Sequence, residues 1–211
     1  VRLTEKTRIY CYQAGSMDSL FGVLFNGKIL LNVNDCEINS KDCGRISSDI
    51  GKVDALLNQF SIAGYSGYAD RQKHLPPQAL KILDKMLANH IDLDADETIP
   101  FASLIYFSSE DNRDINEFAN KPRDAYHYFT QHGKMMTVLY PGESYHIGGE
   151  HDSVASLAEY DEAFKHADRL EYDGSQHATL EQINDALANL STPVRSHYPK
   201  TLLRILLKPV V

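Results

Sequence analysis

Cysteine is scarce in this 211-residue chain and odd in number: Cys11, Cys36 and Cys43. Three thiols without a short CxxC pair fit neither a disulfide framework nor a zinc knuckle, so free thiols in a reducing, cytoplasmic setting are the plain expectation. The nine histidines are poorly spaced for a metal site built locally. None stands two apart as in HxH or four apart as in HExxH, the spacings that aim two imidazoles at one ion. His127/His132 and His146/His151 are five apart, which diverges on helix and strand alike. No uninterrupted apolar run approaches the ~20 residues of a membrane helix. Basic charge is short as well: 21 Lys and Arg against 29 Asp and Glu give −8 at pH 7. That balance argues against a nucleic-acid backbone or an anionic membrane as main partner. An initiator Met and a signal peptide are missing from Val1-Arg2-Leu3-Thr4-Glu5, and residues 202–211 stay apolar to the last. Such ends read as a fragment of something larger.

What remains is ordinary globular composition, 43% apolar and 24% charged, enough for a core within one domain or one domain plus an appendage. Arg8–Cys11 has short β character. Phe21–Phe25 and Lys28–Val33 flank Asn26-Gly27, the signature of a tight hairpin whose turn needs positive φ. The Asn-, Ser- and Asp-rich stretch Glu37–Ser48 reads as a loop, Val53–Phe60 as a buried strand, and Ala63–Tyr68 as a Gly/Tyr loop. A helix starts at Pro76-Pro77 and runs through Leu83 and Leu87; Glu97–Phe107 is the next strand. Asn112–Ala119 and Pro122–Gln131 are helical, the latter stopped by Gly133. Met135–Tyr140 reads as a strand ending at Pro141-Gly142, and Ser153–Leu170 as an acidic amphipathic helix. Thr179-Leu180-Glu181-Gln182 is a capping box that opens a last helix through Ile183 and Leu187. Thr201–Leu207 fits either strand or helix. This order is that of an α/β or α+β protein with a mixed β-sheet and flanking helices.

Three stretches carry a resemblance: Lys28–Cys36, Val53–Phe60 and Glu97–Ser103. Together with the Gly/Tyr loop, Pro100-Phe101-Ala102 and Pro141-Gly142, they resemble the second half of the metallo-β-lactamase-fold superfamily. Within it they look most like the corresponding region of the CMP-N-acetylneuraminate hydroxylase family and its bacterial relatives. The resemblance covers roughly residues 5–147. It implies part of an αββα sandwich, with residues 1–147 forming the C-terminal half of that domain and 148–211 a helical extension. It also implies a divalent metal, zinc or iron, with Asp35 as ligand, and a small-molecule, sugar-nucleotide-like substrate. The family's HxHxDH loop is not in this chain, and the Ile-Pro-x-His histidine would fall at Ala102. A complete centre would therefore draw its other ligands from a missing N-terminal half or a partner chain.

Residue by residue, each candidate has a plain alternative. Asp35 is a metal ligand at a strand end or a turn-forming Asx residue; Cys36 beside it would stand near the same ion. Asp18 faces that site or caps a turn. Tyr65 and Tyr68 offer aromatic faces with hydroxyl tips to a sugar or base, or pack as a rim over the sheet. His74 is a loop ligand or a solvated histidine. Ser61 and Ser103 have no His and Asp nearby in sequence to mark a triad, and Glu143, Tyr145 and His146 form a polar cluster read as surface. Three functional readings follow. The first is part of a metal-dependent hydrolase-like or oxygenase-like enzyme. The second is a non-catalytic binding module with a degenerate metal site, and the third an unrelated α/β domain. A half-fold also predicts an uncovered apolar sheet face beside the hairpin, awaiting missing chain or a partner.

Overall fold

The computed structural model describes residues 1–15, 17–64, 67–171 and 178–197. The chain divides into two compact units, Val1–Asp173 and Gly174–Val211. In the first unit, β1 (Thr7–Ala14), β2 (Asp18–Phe25) and β3 (Lys28–Asn34) pair antiparallel in chain order. Asn26 and Gly27 turn the chain with φ of 49° and 82°, the two positive values of a type I′ hairpin. Phe25 therefore pairs with Lys28, as the Asn-Gly signature requires. β4 (Ala55–Asn58) and β5 (Glu97–Pro100) then add in parallel, giving a five-stranded mixed sheet of order β1-β2-β3-β4-β5. The mixed sheet with flanking helices expected from the sequence is present.

Several boundaries differ from expectation. Glu37–Ser48 is not a loop: α1 (Ser40–Ile50) forms there. Its Ser, Asp and Gly content disfavours helix, but Asn39 and Asp42 close a capping box and Cys43, Ile46 and Ile50 share one buried face. α2 (Arg71–Asp92) begins at Asp70 as N-cap rather than at Pro76. The two prolines sit inside it and leave the carbonyls of Gln72 and Lys73 without their i+4 amide. The strand expected over Val53–Phe60 shrinks to β4, and that over Glu97–Phe107 ends at Pro100, because Ala102 takes φ 64° and turns the chain out of the sheet. Met135–Tyr140 makes one parallel bridge, Met136 to Thr98, and no full strand. Asn112–Ala119 holds a 3-10 turn, Arg113–Glu117. α3 (Pro122–Gln131) and α4 (Ser153–Ala167) stand where periodicity put them, α4 three residues short.

Strand alternation gives the sheet two faces of different fate. Leu20, Leu31, Val33 and Leu56 are buried against Cys43 and Ile46 of α1. A second core joins α2, α3 and α4 through Leu83, Met86, Phe129 and Leu157. On the opposite face Ile9, Val23 and Leu30 are half-buried, while Phe21 and Phe25 are 44% and 55% exposed. Among the described residues this face is only partly covered, and it carries Thr7, Lys28 and Asn32 beside those apolar side chains.

The second unit holds α5 (Leu180–His197). The expected capping box forms: Gln182 N–H donates to Thr179 Oγ1 at 3.2 Å, and Thr179 N–H to Gln182 Oε1 at 2.8 Å. Residues 201–207 lie outside the described residues.

Candidate functional site

The carboxyl ends of β3, β4 and β5 lie side by side, since Asn34 pairs with Asn58 and Asn58 with Pro100. Ligands of parallel sheets gather at such ends. The β3–β4 register shifts between Asn32 and Asn34, and Asn34 takes φ 55°. This irregularity turns Asp35 off the strand. Asp35 is exposed, and its Oδ1 accepts from Asn34 Nδ2 at 2.7 Å. Asp18, also exposed, opens β2 opposite Ala14. The Cys36 thiol is buried, and its pKa is raised first by burial and then by the charges of Asp18 and Asp35. Asp35 and Cys36 are chain neighbours, and Asp18 is near enough to act on the same thiol through its charge.

The other expected residues fall elsewhere. Tyr68 is 45% exposed and stacks on His74, ring centroids 4.6 Å apart. Tyr65 lies outside the described residues. Ser103 is buried, and its Oγ accepts from Phe60 N–H (3.1 Å) and Ser61 N–H (2.9 Å), a tie between loops rather than a nucleophile. At the end of β4, Asn89 Nδ2 donates to the buried Asn58 Oδ1 at 2.7 Å.

Beyond β5 the chain runs along the rim of two adjoining cavities of about 360 and 270 Å³. Ala102 lines the larger, Phe164 of α4 the smaller, and Leu104, Ile105 and Tyr160 line both.

A polar centre that sequence reasoning missed surrounds Glu97, 4% exposed on β5. Tyr145 Oη donates to its carboxylate at 2.9–3.0 Å, Gly148 N–H at 3.1 Å, and Thr137 Oγ1 also donates. Burial first, then the Glu97 hydrogen bond, raises the Tyr145 pKa. The centre borders a cavity of about 460 Å³ that His151 also lines. Tyr145 and Glu143 are therefore not idle surface residues. Glu143 accepts from Tyr140 N–H at 2.6 Å and from Ser156 Oγ at 2.8 Å, and the first of these bonds leads in lowering its pKa. His151 Nε2 stands 2.8 Å from the Val138 carbonyl and 3.0 Å from Ser156 Oγ. A carbonyl only accepts, so Nε2 carries the hydrogen and cannot take a proton from Ser156. With Ser156 fully buried, this trio pins α4 to the preceding loop and is not a catalytic triad. A charged residue opening an apolar strand, Glu97 before Thr98-Ile99, was the one local sign of the Glu97 centre.

Among the described residues, no group of three His, Cys, Asp or Glu is placed to hold a metal ion. Asp35 offers one carboxylate, and Cys36, held protonated by burial and by its acidic neighbours, is a poor thiolate donor. These residues do not fit a whole metal centre by themselves.

No protein-family model matches the chain, and no curated protein does. Among solved structures it is similar to the CmlA beta-hydroxylase E377D mutant, at 16% identity and a TM-score of 0.37. The match covers 64% of this chain and spans 30% of that neighbour's length. The likeness of fold is distant, and it places no residue. No helix among the described residues is long and apolar enough to cross a membrane.

Proposed function

We propose that this chain is one layer of a two-layer, metal-dependent domain. In that domain Asp35 gives a single carboxylate to a zinc or iron ion whose other ligands come from beyond the described residues. The observation that carries the reading is the open sheet face, where Phe21 and Phe25 stand exposed among Ile9, Val23 and Leu30. An antiparallel region meant to face water alternates apolar with polar residues. Here β2 presents Phe21, Val23 and Phe25 in succession on the open face, beside Thr7, Lys28 and Asn32 of its neighbours, and covering a side chain such as phenylalanine is worth about 1.5–3 kcal/mol. In the finer reading the whole is hydrolase-like or oxygenase-like, and a small sugar-nucleotide-like substrate meets Asp18, Tyr65 and Tyr68. Elemental analysis of the native assembly tests it: stoichiometric zinc or iron that binds at least about tenfold more weakly in Asp35→Ala supports the role. Metal content and affinity indifferent to that substitution contradict it.

A second reading, a binding module with a degenerate metal site, is favoured by Ala102. It stands where the resembling family carries a histidine, lines the larger cavity, and has only a methyl group to offer. Native protein free of zinc and iron would select this reading.

A further inference from the structure

We infer that the groove between residues 100–106 and α4 is a binding site for an uncharged, predominantly apolar small molecule. The inference rests on neither Asp35 nor a bound metal, although Ala102, on which the second reading turns, lines the larger cavity.

Shape comes first. The cavities of about 360 and 270 Å³ share Leu104, Ile105 and Tyr160 and so form one concavity. Its size falls in the range of small-molecule sites, which are mostly apolar and lie at strand ends in α/β sheets.

Charge selects the class of ligand. Not one Asp, Glu, Lys, Arg or His lines either cavity, in a chain whose residues are 24% charged. The ionic groups at the adjoining wall are already engaged. Lys121 Nζ sits 5.0 Å from the centroid of the Phe164 ring, and the Asp168 carboxylate accepts from Tyr106 Oη at 2.7 Å. An ion entering the groove would lose water and meet only these already engaged charges at its wall. A phosphate-bearing ligand is therefore a poorer fit to this groove than an uncharged one.

The backbone shows that the apolar side chains are held outward. Phe101, Leu104 and Ile105 are 41%, 48% and 38% exposed within five residues. Between them Ala102 takes φ 64°, a left-handed conformation that strains a residue with a Cβ. Ser103 Oγ fixes the turn by accepting the amides of Phe60 and Ser61. Strain tied down in this way, beside a cavity, marks a place where side chains are presented rather than hidden.

The test is titration of the whole chain with N-phenyl-1-naphthylamine, a neutral fluorophore whose signal meets no tryptophan background because the sequence has none. The expected result is saturable binding that weakens at least about tenfold in Ala163→Phe, which fills the groove from the exposed side of α4, and in Ile105→Glu, which places a charge in it. Phe21→Glu, on the open sheet face, leaves the affinity unchanged. The sulfonated, anionic analogue of the probe binds the groove at least about tenfold more weakly than the neutral one. Far-UV circular dichroism of each variant confirms the fold, and the two groove substitutions on different segments guard against one failing to fold. No saturable binding, loss of binding only in Phe21→Glu, or equal affinity for the anionic analogue would overturn the proposal. So would self-association abolished by Ile105→Glu, which would make the groove a protein interface.

Discussion

Leu30 and Leu31 are neighbours on β3, yet Leu31 is fully buried while Leu30 is only half-buried. The same contrast separates Leu20 from Phe21 on β2, at 1% and 44% exposure. One face of each strand packs on α1; the other waits uncovered. Strands with a solvated side carry polar residues there, whereas strands covered on both sides read as continuous apolar runs. Phe21-Gly22-Val23-Leu24-Phe25 is of the second kind, whereas β3 carries Lys28, Leu30 and Asn32 on the open side. On β2 the local sequence is that of a strand covered on both sides, and the described residues supply one cover.

The largest effect that can break this contrast is a truncation on the covered side. Leu31→Ala should lower unfolding free energy by about 2–5 kcal/mol in urea titrations. Leu30→Ala, one residue away, should cost about 1 kcal/mol or less. Equal losses would mean that the open face is covered in solution and the contrast false. A smaller effect sharpens the covered side. His90 of α2 is 3% exposed, with Nδ1 2.9 Å from Thr98 Oγ1. Burial, reinforced by the Lys134 charge, holds its pKa below the ordinary 6.5. The unfolded chain then binds the proton first as pH falls below that value, so stability declines from there down to the folded pKa and is constant above. Urea midpoints compared at pH 7 and pH 5 should show this decline, and His90→Gln should flatten it. An equal decline in the variant would assign the dependence to other groups.

Much of the fold was legible because its signals are local. Asn26-Gly27 dictates a hairpin, and Pro122 with Gly133 brackets α3. α1 escaped because Ser40, Gly44, Ser47 and Ser48 weaken helix propensity, although the Asn39–Asp42 box and the 43/46/50 spacing were present. The start of α2 was hidden by the usual association of proline with a first turn. Asp70 caps the helix two turns earlier than the sequence suggested, and tertiary packing of Leu75 and Ala79 holds the prolines within it. The Glu97 centre could not be read locally. Its donors Thr137, Tyr145 and Gly148 lie 40, 48 and 51 residues away, and only the path of the chain after α3 brings them over β5. At the end of β3 the sequence named Asp18, Asp35 and Cys36 separately, and pairing of β2 with β3 is what brings the Asp18 charge within reach of the Cys36 thiol.

The two-layer account rests on the open face, and Cys11 reports on it directly. Cys11 is exposed and pairs with Phe21 across β1 and β2. Cys36 and Cys43 are buried, and burial raises both thiols, that of Cys43 to about 11. A neutral alkylating reagent applied to the native assembly and to residues 1–211 alone separates the cases. The expected result is Cys11 as slow to react as Cys43 in the native assembly and fast in the isolated chain. Rapid, equal modification of Cys11 in both would show that nothing covers the sheet, and the two-layer reading would fall.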